Sequence, residues 1–225
     1  MNDIVFILFT YPFIGMFIGI FFWLLVAIRI VKIRGWENFP HFHKSVVMIS
    51  NHQTLWDWFI LIGLCFHQYV FHPFKFSPYT MADKNNYTNK RRYALVRSRL
   101  IPVDRENLSK VKGRMAITDA IEQSLVLAKK VLEKGGWLII WPEGGRTKSG
   151  NYWIRSKGGE IRPLKSEFAV LASGTAALVL PIWINWSWLE IKVTIGKPRS
   201  FTGKPTKEIV VETEKVLLEL ADKVA

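Results

Sequence analysis

The chain has 225 residues, which is enough for one sizeable hydrophobic core and short for two domains. Hydrophobic residues make up 49% of it, yet 31 Lys and Arg against 18 Asp and Glu give a net charge of +13. A phospholipid surface, which is both apolar and anionic, fits this combination better than nucleic acid does. The single cysteine, Cys65, excludes an intramolecular disulfide and a multi-cysteine metal site.

The N-terminal segment is apolar and carries no charge from Ile4 to Ile28. A helix needs roughly 20 apolar residues to cross the hydrocarbon core of a bilayer, so this run is long enough. A cleaved signal peptide is not expected, because the preceding "MND" is not a positive n-region. A re-entrant hairpin in one leaflet is an open alternative to a span, because helix-disturbing residues interrupt the run: Pro12, Gly15 and Gly19.

Three cations follow the apolar run, at Arg29, Lys32 and Arg34. By the positive-inside rule they predict that the rest of the chain lies on the cytoplasmic side of the membrane. We therefore predict a membrane segment over residues 1–34 and one folded domain over residues 35–225.

Predicted strands and helices alternate along that domain. Apolar runs predict strands at 44–50, 137–141, 177–184 and 189–196. Helices are predicted at 55–67, 107–134, 164–173 and 207–225. The alternation predicts an α/β fold, a single layered domain with a largely parallel sheet flanked by helices, preceded by the N-terminal membrane-embedded helical segment.

The stretch "SNHQTLWDW" (50–58) places His52 and Asp57 between two apolar runs. On one regular helix the two side chains would lie about 140° apart. They can meet if His52 lies in the loop after the strand and Asp57 in the first helical turn, with Asn51 or Thr54 as the helix cap. An aspartate on one ring nitrogen fixes the histidine tautomer and leaves the other nitrogen able to take a proton. A core histidine beside a helix-start aspartate is the alternative reading.

The stretch "WPEGGRTKSG" (141–150) also follows a predicted strand. Gly144 and Gly145 allow a ligand to approach the main chain, and beside Arg146 they suit a phosphate or a developing oxyanion. Glu143 is expected either to hold Arg146 or to contact the ligand. An ordinary turn with a surface ion pair is the alternative.

A basic region from Lys84 to Arg114 contains ten Lys and Arg, most of them expected on a solvated or lipid-facing surface. Arg105 follows the apolar "LIPV" and is the best candidate for turning inward. A guanidinium there can grip a phosphate through two hydrogen bonds.

These blocks, in this order, resemble the glycerolipid acyltransferase family, whose best-known members acylate lysophosphatidic acid (1-acyl-sn-glycerol-3-phosphate). The family's His-four-Asp block resembles "NHQTLWD", its Asp-Arg block "IPVDR", its Pro-Glu-Gly-Thr-Arg block "PEGGR" and its proline-centred apolar block "LVLPIWI". "MADK" (81–84) and "LKSEFAVLASG" (164–174) resemble two further stretches. Gly145 departs from the threonine usual in the third block, and Glu167 from a frequent glycine.

The resemblance implies transfer of a fatty acyl group from acyl-CoA or acyl carrier protein to the free hydroxyl of a lysophospholipid. The most direct case converts 1-acyl-sn-glycerol-3-phosphate to phosphatidic acid in phospholipid biosynthesis, with no cofactor, no metal and no nucleic acid. His52 would act as general base and Asp57 would orient it. The substrates would contact Lys84, Arg105, Glu143, Gly144, Gly145 and Arg146.

Other functions stay open. An acyltransferase of the same family with another lysolipid or glycerol-3-phosphate as acceptor, or a non-catalytic lipid-binding protein, would share much of the pattern. A serine hydrolase would need a "GxSxG" elbow, which the chain lacks. A nucleotide-binding module would need "GxxxxGK[ST]" or a "GxGxxG" after a strand, and neither is present.

Overall fold

The computed structural model describes residues 10–12, 15–83, 99–103, 114–146 and 153–223, with the side chains of 114–120 left out. Its main sheet contains eight strands: β1 Val31–Arg34, β2 Val46–Ser50, β3 Tyr79–Asp83, β4 Leu100–Val103, β5 Trp137–Ile140, β8 Leu178–Trp186, β9 Ile191–Ile195 and β10 Arg199–Ser200. A separate two-stranded ribbon consists of β6 Ile154–Arg155 and β7 Glu160–Ile161.

Seven α-helices lie within the described ranges: α1 Met16–Ala27, α2 Asp57–Leu64, α3 Phe66–Tyr69, α4 Pro73–Phe76, α5 Arg114–Glu133, α6 Glu167–Ser173 and α7 Thr206–Asp222. A short 3₁₀ turn covers Trp36–Asn38.

The strand order is β1-β9-β8-β2-β5-β3-β4, with β10 also paired to β8. All pairs are parallel except β8 with β9 and β10 with β8. The carboxyl ends of β2, β3, β4, β5 and β8 therefore lie along one edge, which we call the carboxyl edge. The hairpin that leads from β8 to β9 turns at this edge, and β1 starts there, since Val31 pairs with Ile191. Open sheets of this kind bind their ligands beyond the carboxyl ends of the strands.

The core has two layers, one on each face of the sheet. All five residues of β2 and all four of β5 are buried, as expected for central strands covered on both sides. Alternate side chains point to opposite faces: Val47 and Ile49 pack with α5, α6 and α7, whereas Val46 and Met48 pack with α1 and α2.

Helix α1 packs against the domain through one side. A side chain at Gly63 or at Gly19 would collide with the rings of Phe22 or Phe66, so these two glycines allow α1 to lie close to α2 and α3. The opposite side of α1 is apolar and exposed, at Phe17, Ile20, Phe21 and Leu24. By length and composition, one candidate membrane span is found in the described part of the chain, the 18-residue window Thr10–Ala27, which ends with α1 and has a mean hydropathy of 1.9.

The predicted α/β fold with a largely parallel sheet is confirmed. The predicted strands and helices fall on β2, β5, β8, β9, α2, α5, α6 and α7, although the helix predicted at 55–67 breaks at Cys65 into α2 and α3. Residues 107–113 of the predicted α5 lie outside the described residues. Strands β1, β3 and β4 were not predicted. Polar residues interrupt β1 (VKIR) and β3 (YTMAD), and β4 (LIPV) contains Pro102, which lacks a main-chain donor for strand pairing. β1 lies inside the range 1–34 that was assigned to the membrane segment.

Candidate active site

His52 and Asp57 meet at the carboxyl edge. His52 lies in the loop that follows β2, and Asp57 is the first residue of α2. The Nδ1 atom of His52 lies 2.8 Å from Oδ2 of Asp57. The aspartate side chain is fully buried, whereas 20% of the histidine side chain is exposed. The geometry predicted from the spacing is therefore present, with the histidine in the loop and the aspartate in the first helical turn.

The Asp57 carboxylate accepts four hydrogen bonds. Oδ2 accepts from His52 and from the main-chain N–H of Thr54 at 3.0 Å. Oδ1 accepts from the Thr54 hydroxyl at 2.9 Å and from Nε1 of Trp186, the last residue of β8, at 2.8 Å. An ionised carboxylate can accept all of these. With Asp57 as acceptor, the Nδ1 atom of His52 carries the proton, so the Nε2 atom keeps its lone pair and can accept a proton.

The expected helix caps take other roles. Asn51 does not cap α2, because its side chain forms two 2.8 Å hydrogen bonds with the main chain of Ile184 in β8. These bonds hold the start of the His52 loop on the neighbouring strand. The Thr54 hydroxyl accepts the N–H of Trp56 at 3.0 Å, just ahead of the helix.

Trp141 supports the imidazole ring from one face. It follows β5 directly, and its ring lies 4.9 Å from that of His52 with 29° between the planes. Stacking fixes the tilt of the imidazole, while Asp57 fixes its rotation in the plane. The ring is thus held before a substrate arrives.

Glu143 joins three segments around the site. Its side chain is buried, with 3% of the residue exposed. Oε1 accepts the main-chain N–H of His52 at 2.8 Å, and Oε2 accepts the main-chain N–H of Arg162 at 3.0 Å. Charge-assisted bonds of this kind are stronger than neutral ones, and they tie the loops after β2, β5 and β7 together. Both oxygens accept main-chain amides in the structure. The expected contacts of Glu143 with Arg146 or with the ligand stay predictions.

Two basic side chains, of Lys165 and Arg162, lie next to the two glycines of the "PEGGR" stretch, Gly144 and Gly145. Gly144 has a φ of +70°, and its N–H donates to the Trp141 carbonyl at 3.1 Å. A Cβ atom on Gly144 would come within 2.8 Å of Nζ of Lys165. A Cβ atom on Gly145 would lie 3.1 Å from Nη1 of Arg162. The lack of a side chain at Gly144 therefore leaves the space that the end of Lys165 occupies, and at Gly145 it leaves room beside the Arg162 guanidinium.

The remaining predicted site residues divide into two groups. Arg146 lies at the end of the same loop and is exposed. Lys84 and Arg105 lie outside the described residues. The strands before them, β3 and β4, end at the carboxyl edge at Asp83 and Val103. No group of three or more His, Cys, Asp or Glu suited to a metal occurs in the described ranges.

Sequence reasoning assigned no role to several residues that shape the site. Trp141 belongs to "WPEGGRTKSG" and Lys165 to "LKSEFAVLASG". Nothing in these two stretches indicates that Trp141 stacks on His52 or that Lys165 covers Gly144. Trp186 lies 129 residues from its partner Asp57 in the sequence, and Arg162 lies 19 residues from its partner Glu143. No local pattern signals such long-range contacts.

Comparison with known proteins identifies the family. A family model described as Acyltransferase matches residues 30–185. The 1-acyl-sn-glycerol-3-phosphate acyltransferase of Pseudomonas aeruginosa is 27% identical over 191 residues, which cover 79% of this chain and 62% of that protein. The crystal structure of the 1-acyl-sn-glycerophosphate (LPA) acyltransferase PlsC from Thermotoga maritima shares the fold, with a TM-score of 0.64 at 17% identity over 94% of this chain and 79% of that one. The family match covers more than half of the chain and includes His52, Asp57 and the glycine loop, so this chain belongs to the acyltransferase family.

Proposed function

We propose that the protein transfers a fatty acyl group from an acyl thioester, acyl-CoA or acyl carrier protein, to the free hydroxyl of a lysophospholipid. The preferred acceptor is 1-acyl-sn-glycerol-3-phosphate, and the product is phosphatidic acid. The observation that carries the proposal is the His52–Asp57 pair, with Nδ1 bonded to the buried carboxylate and Nε2 left to meet a substrate. The relative from Pseudomonas aeruginosa carries the name of this activity.

In the proposed reaction, Nε2 of His52 takes the proton of the acceptor hydroxyl as its oxygen attacks the thioester carbonyl carbon. The C–O bond forms, and the tetrahedral intermediate collapses by breaking the C–S bond. The thiolate that leaves takes the proton back from Nε2. Asp57 stabilises the imidazolium that exists between the two proton transfers.

The acyl group passes directly between the two substrates. The chain has one cysteine, Cys65, which is fully buried beside Met48, and burial raises the pKa of its thiol. A buried neutral thiol is a poor nucleophile, because the thiolate is the reactive form. A covalent enzyme thioester at Cys65 is therefore not part of the proposed mechanism.

The phosphate of the acceptor is proposed to bind at the glycine loop, where Arg146, Arg162 and Lys165 bring three cations to one end of the site. Arg162 is tied to His52 through the shared carboxylate of Glu143. A phosphate held by the guanidinium would thus stand at a set position relative to the general base. Lys84 and Arg105 remain predicted further contacts.

Membrane attachment through the N-terminal segment is part of the proposal. The exposed apolar side of α1 and the net charge of +13 support contact with an anionic bilayer. The cations that follow α1 support a catalytic domain on the cytoplasmic side.

The decisive test is acyl transfer by the full chain in mixed micelles. Labelled acyl-CoA and acyl carrier protein serve as donors. The acceptors are lysophosphatidic acid, lysophosphatidylcholine and glycerol-3-phosphate, and His52→Ala is assayed beside the parent. We expect transfer to lysophosphatidic acid that falls by about 10²–10⁴ in the variant. Near-full activity in His52→Ala would refute the assigned base.

Two other outcomes decide between the alternatives. Transfer to another acceptor alone would support the proposed mechanism but change the assigned acceptor. Gly145 would then be the first position to examine for acceptor specificity. Lipid binding without turnover by any donor and acceptor would favour the non-catalytic lipid-binding protein.

A further inference from the structure

We propose that the tip of the β8–β9 hairpin, Ser187–Glu190, inserts into the membrane interface and forms a second lipid contact beside the active site. The proposal builds on the proposed function for the presence of a membrane, but its test needs no turnover. Its starting point is exposure: 96% of Trp188 and 78% of Leu189 are exposed, more than any other large apolar residue in the described part of the chain.

The tip is a closed turn. The N–H of Ser187 donates to the carbonyl of Glu190 at 2.9 Å, and the Ser187 hydroxyl donates to the same carbonyl at 2.8 Å. The Glu190 carboxylate pairs with Lys32 of β1 and, at 3.2 Å, with Lys192 of β9. Both cations lower the pKa of Glu190, the hydrogen bond from Lys32 most of all. The turn is thus held at its base, and Trp188 and Leu189 project as a pair.

The chain that follows α1 lies next to the tip. The N–H of Ile191 donates to the carbonyl of Ile30 at 2.8 Å. Ile28 and Ile30 are themselves exposed, at 56% and 38%. The apolar tip therefore continues the apolar surface of α1, which is the segment proposed to meet the bilayer.

Charge favours a phospholipid surface as the occupant. Lys32 and Lys192 both pair with the Glu190 carboxylate at the base of the tip, and Arg29 directly precedes Ile30 in the chain that lies next to it. Basic residues around exposed Trp and Leu are the signature of segments that lie at the interface of anionic membranes. A tryptophan suits this position because its ring is apolar and its N–H stays near water.

The tip and the catalytic pair share the carboxyl edge. Trp186, two residues before Trp188, donates its indole N–H to Asp57. The loop between His52 and Asp57 exposes two more apolar side chains, Leu55 at 65% and Trp56 at 62%. We define the lipid-facing rim as Ile28, Ile30, Leu55, Trp56, Trp188 and Leu189. Insertion of this rim would bring His52 to the membrane surface, so that the hydroxyl of a lysolipid could reach it while the lysolipid stays in the bilayer.

Site-directed fluorescence tests the insertion directly. In the full chain, Trp188→Cys is labelled with an environment-sensitive fluorophore and mixed with vesicles of phosphatidylethanolamine and phosphatidylglycerol, with or without brominated acyl chains. Cys65 is fully buried, so the labelled parent measures the background. Val211→Cys is the matched control, because Val211 is 65% exposed on α7, which packs on the other face of the sheet from α1.

We expect the label at position 188 to shift to the blue and to be quenched by the brominated lipid, and the label at 211 to do neither. Protein that sediments with vesicles while the label at 188 stays unquenched would overturn the proposal. A blue shift without vesicles that grows with protein concentration would assign the tip to contact between copies of the chain, and would overturn it as well.

A double variant of the tip, with Val211→Ser as its control, tests whether the lipid contact contributes to activity. Trp188→Ser/Leu189→Ser should reduce transfer to lysophosphatidic acid in vesicles by about tenfold, since it removes most of the apolar surface of the tip. Transfer in detergent micelles, and both activities of Val211→Ser, should change little. Quenching at 188 in a protein with no transfer would keep the lipid contact and reject the proposed function, whereas transfer without quenching would do the reverse.

Discussion

The buried carboxylate of Glu143 holds the main chain of His52 while leaving its ring to other residues. The 2.8 Å bond from the His52 N–H to Oε1 fixes the loop, Asp57 fixes the ring rotation and Trp141 fixes its tilt. The other oxygen of Glu143 accepts the N–H of Arg162. The proposed base and the proposed phosphate contact are thereby attached to one side chain.

Glu143→Gln should lower both stability and activity. A glutamine can accept from only one of the two amides, and its NH₂ group then faces the N–H of the other. A buried donor left without an acceptor costs about 1–3 kcal/mol. We expect a lower melting temperature and a reduced kcat with a smaller change in KM, measured by calorimetry and by acyl transfer. Unchanged melting with full activity would contradict the bridging role.

Asp57→Asn should reduce kcat by about 10²–10⁴. It should also lower the free energy of unfolding by about 1–3 kcal/mol, because its NH₂ group would face the main-chain N–H of Thr54. An amide NH₂ in place of Oδ2 would donate to Nδ1 of His52 and move the ring proton to Nε2, where it blocks the base. Trp186→Phe is the matched control, since it removes one donor to Asp57 without touching the histidine bond. It should cost about 1 kcal/mol of stability and little activity. Equal losses of kcat in both variants would mean that general disruption of the site, rather than the tautomer, explains the effect.

Arg162→Leu should raise the KM for lysophosphatidic acid by about 10- to 100-fold, because a hydrogen bond to a charged group is worth about 1.5–3 kcal/mol. The KM for an acceptor without phosphate, such as monoacylglycerol, should stay the same. Varying the donor separates the two phosphate sources: an equal rise for acyl-CoA but none for a short acyl thioester without phosphate would assign Arg162 to the donor instead.

Gly145→Thr should act in the same direction as Arg162→Leu. A Cβ atom there would lie 3.1 Å from Nη1 of Arg162, so we expect the threonine to crowd the guanidinium and shift it from its present position. The double variant Gly145→Thr/Arg162→Leu should be no worse than Arg162→Leu alone, because the two changes act through one side chain. Additive losses would show that Gly145 acts independently of Arg162.

Stability should fall as the pH drops from about 6.5 to about 4 because of His67. Burial, and then the neighbouring His41, lower the pKa of His67 from 6.5 to about 4 in the folded protein. Nδ1 of His41 lies 2.8 Å from Nε2 of His67, so a second positive charge is disfavoured there. Between these two pH values the unfolded chain binds more protons than the folded one, and stability therefore decreases as pH falls.

The variant His67→Phe isolates this contribution, because an aromatic ring keeps the packing against Trp36 and Phe39. Melting temperatures of parent and variant are compared from pH 7 to pH 4.5. The parent should lose more than the variant over this range. Parallel curves would show that His67 does not contribute to the pH dependence.

The sequence by itself determined the fold class, the central strands and the pairing of His52 with Asp57. Continuous apolar runs mark β2 and β5, because both faces of a central strand are buried. The five-residue spacing is local, so a strand end and a helix start suffice to bring the two side chains together.

Only the tertiary structure decided what surrounds that pair. Trp186 reaches Asp57 from β8, Glu143 joins His52 to Arg162, and the β8–β9 hairpin puts Trp188 on the same edge as the base. Each of these relationships depends on strand order and register, which arise from packing between segments far apart in the chain. Gly145 shows the difference most clearly: in the sequence it stands where the family usually has threonine, whereas in the fold its lack of a side chain leaves room beside the Arg162 guanidinium.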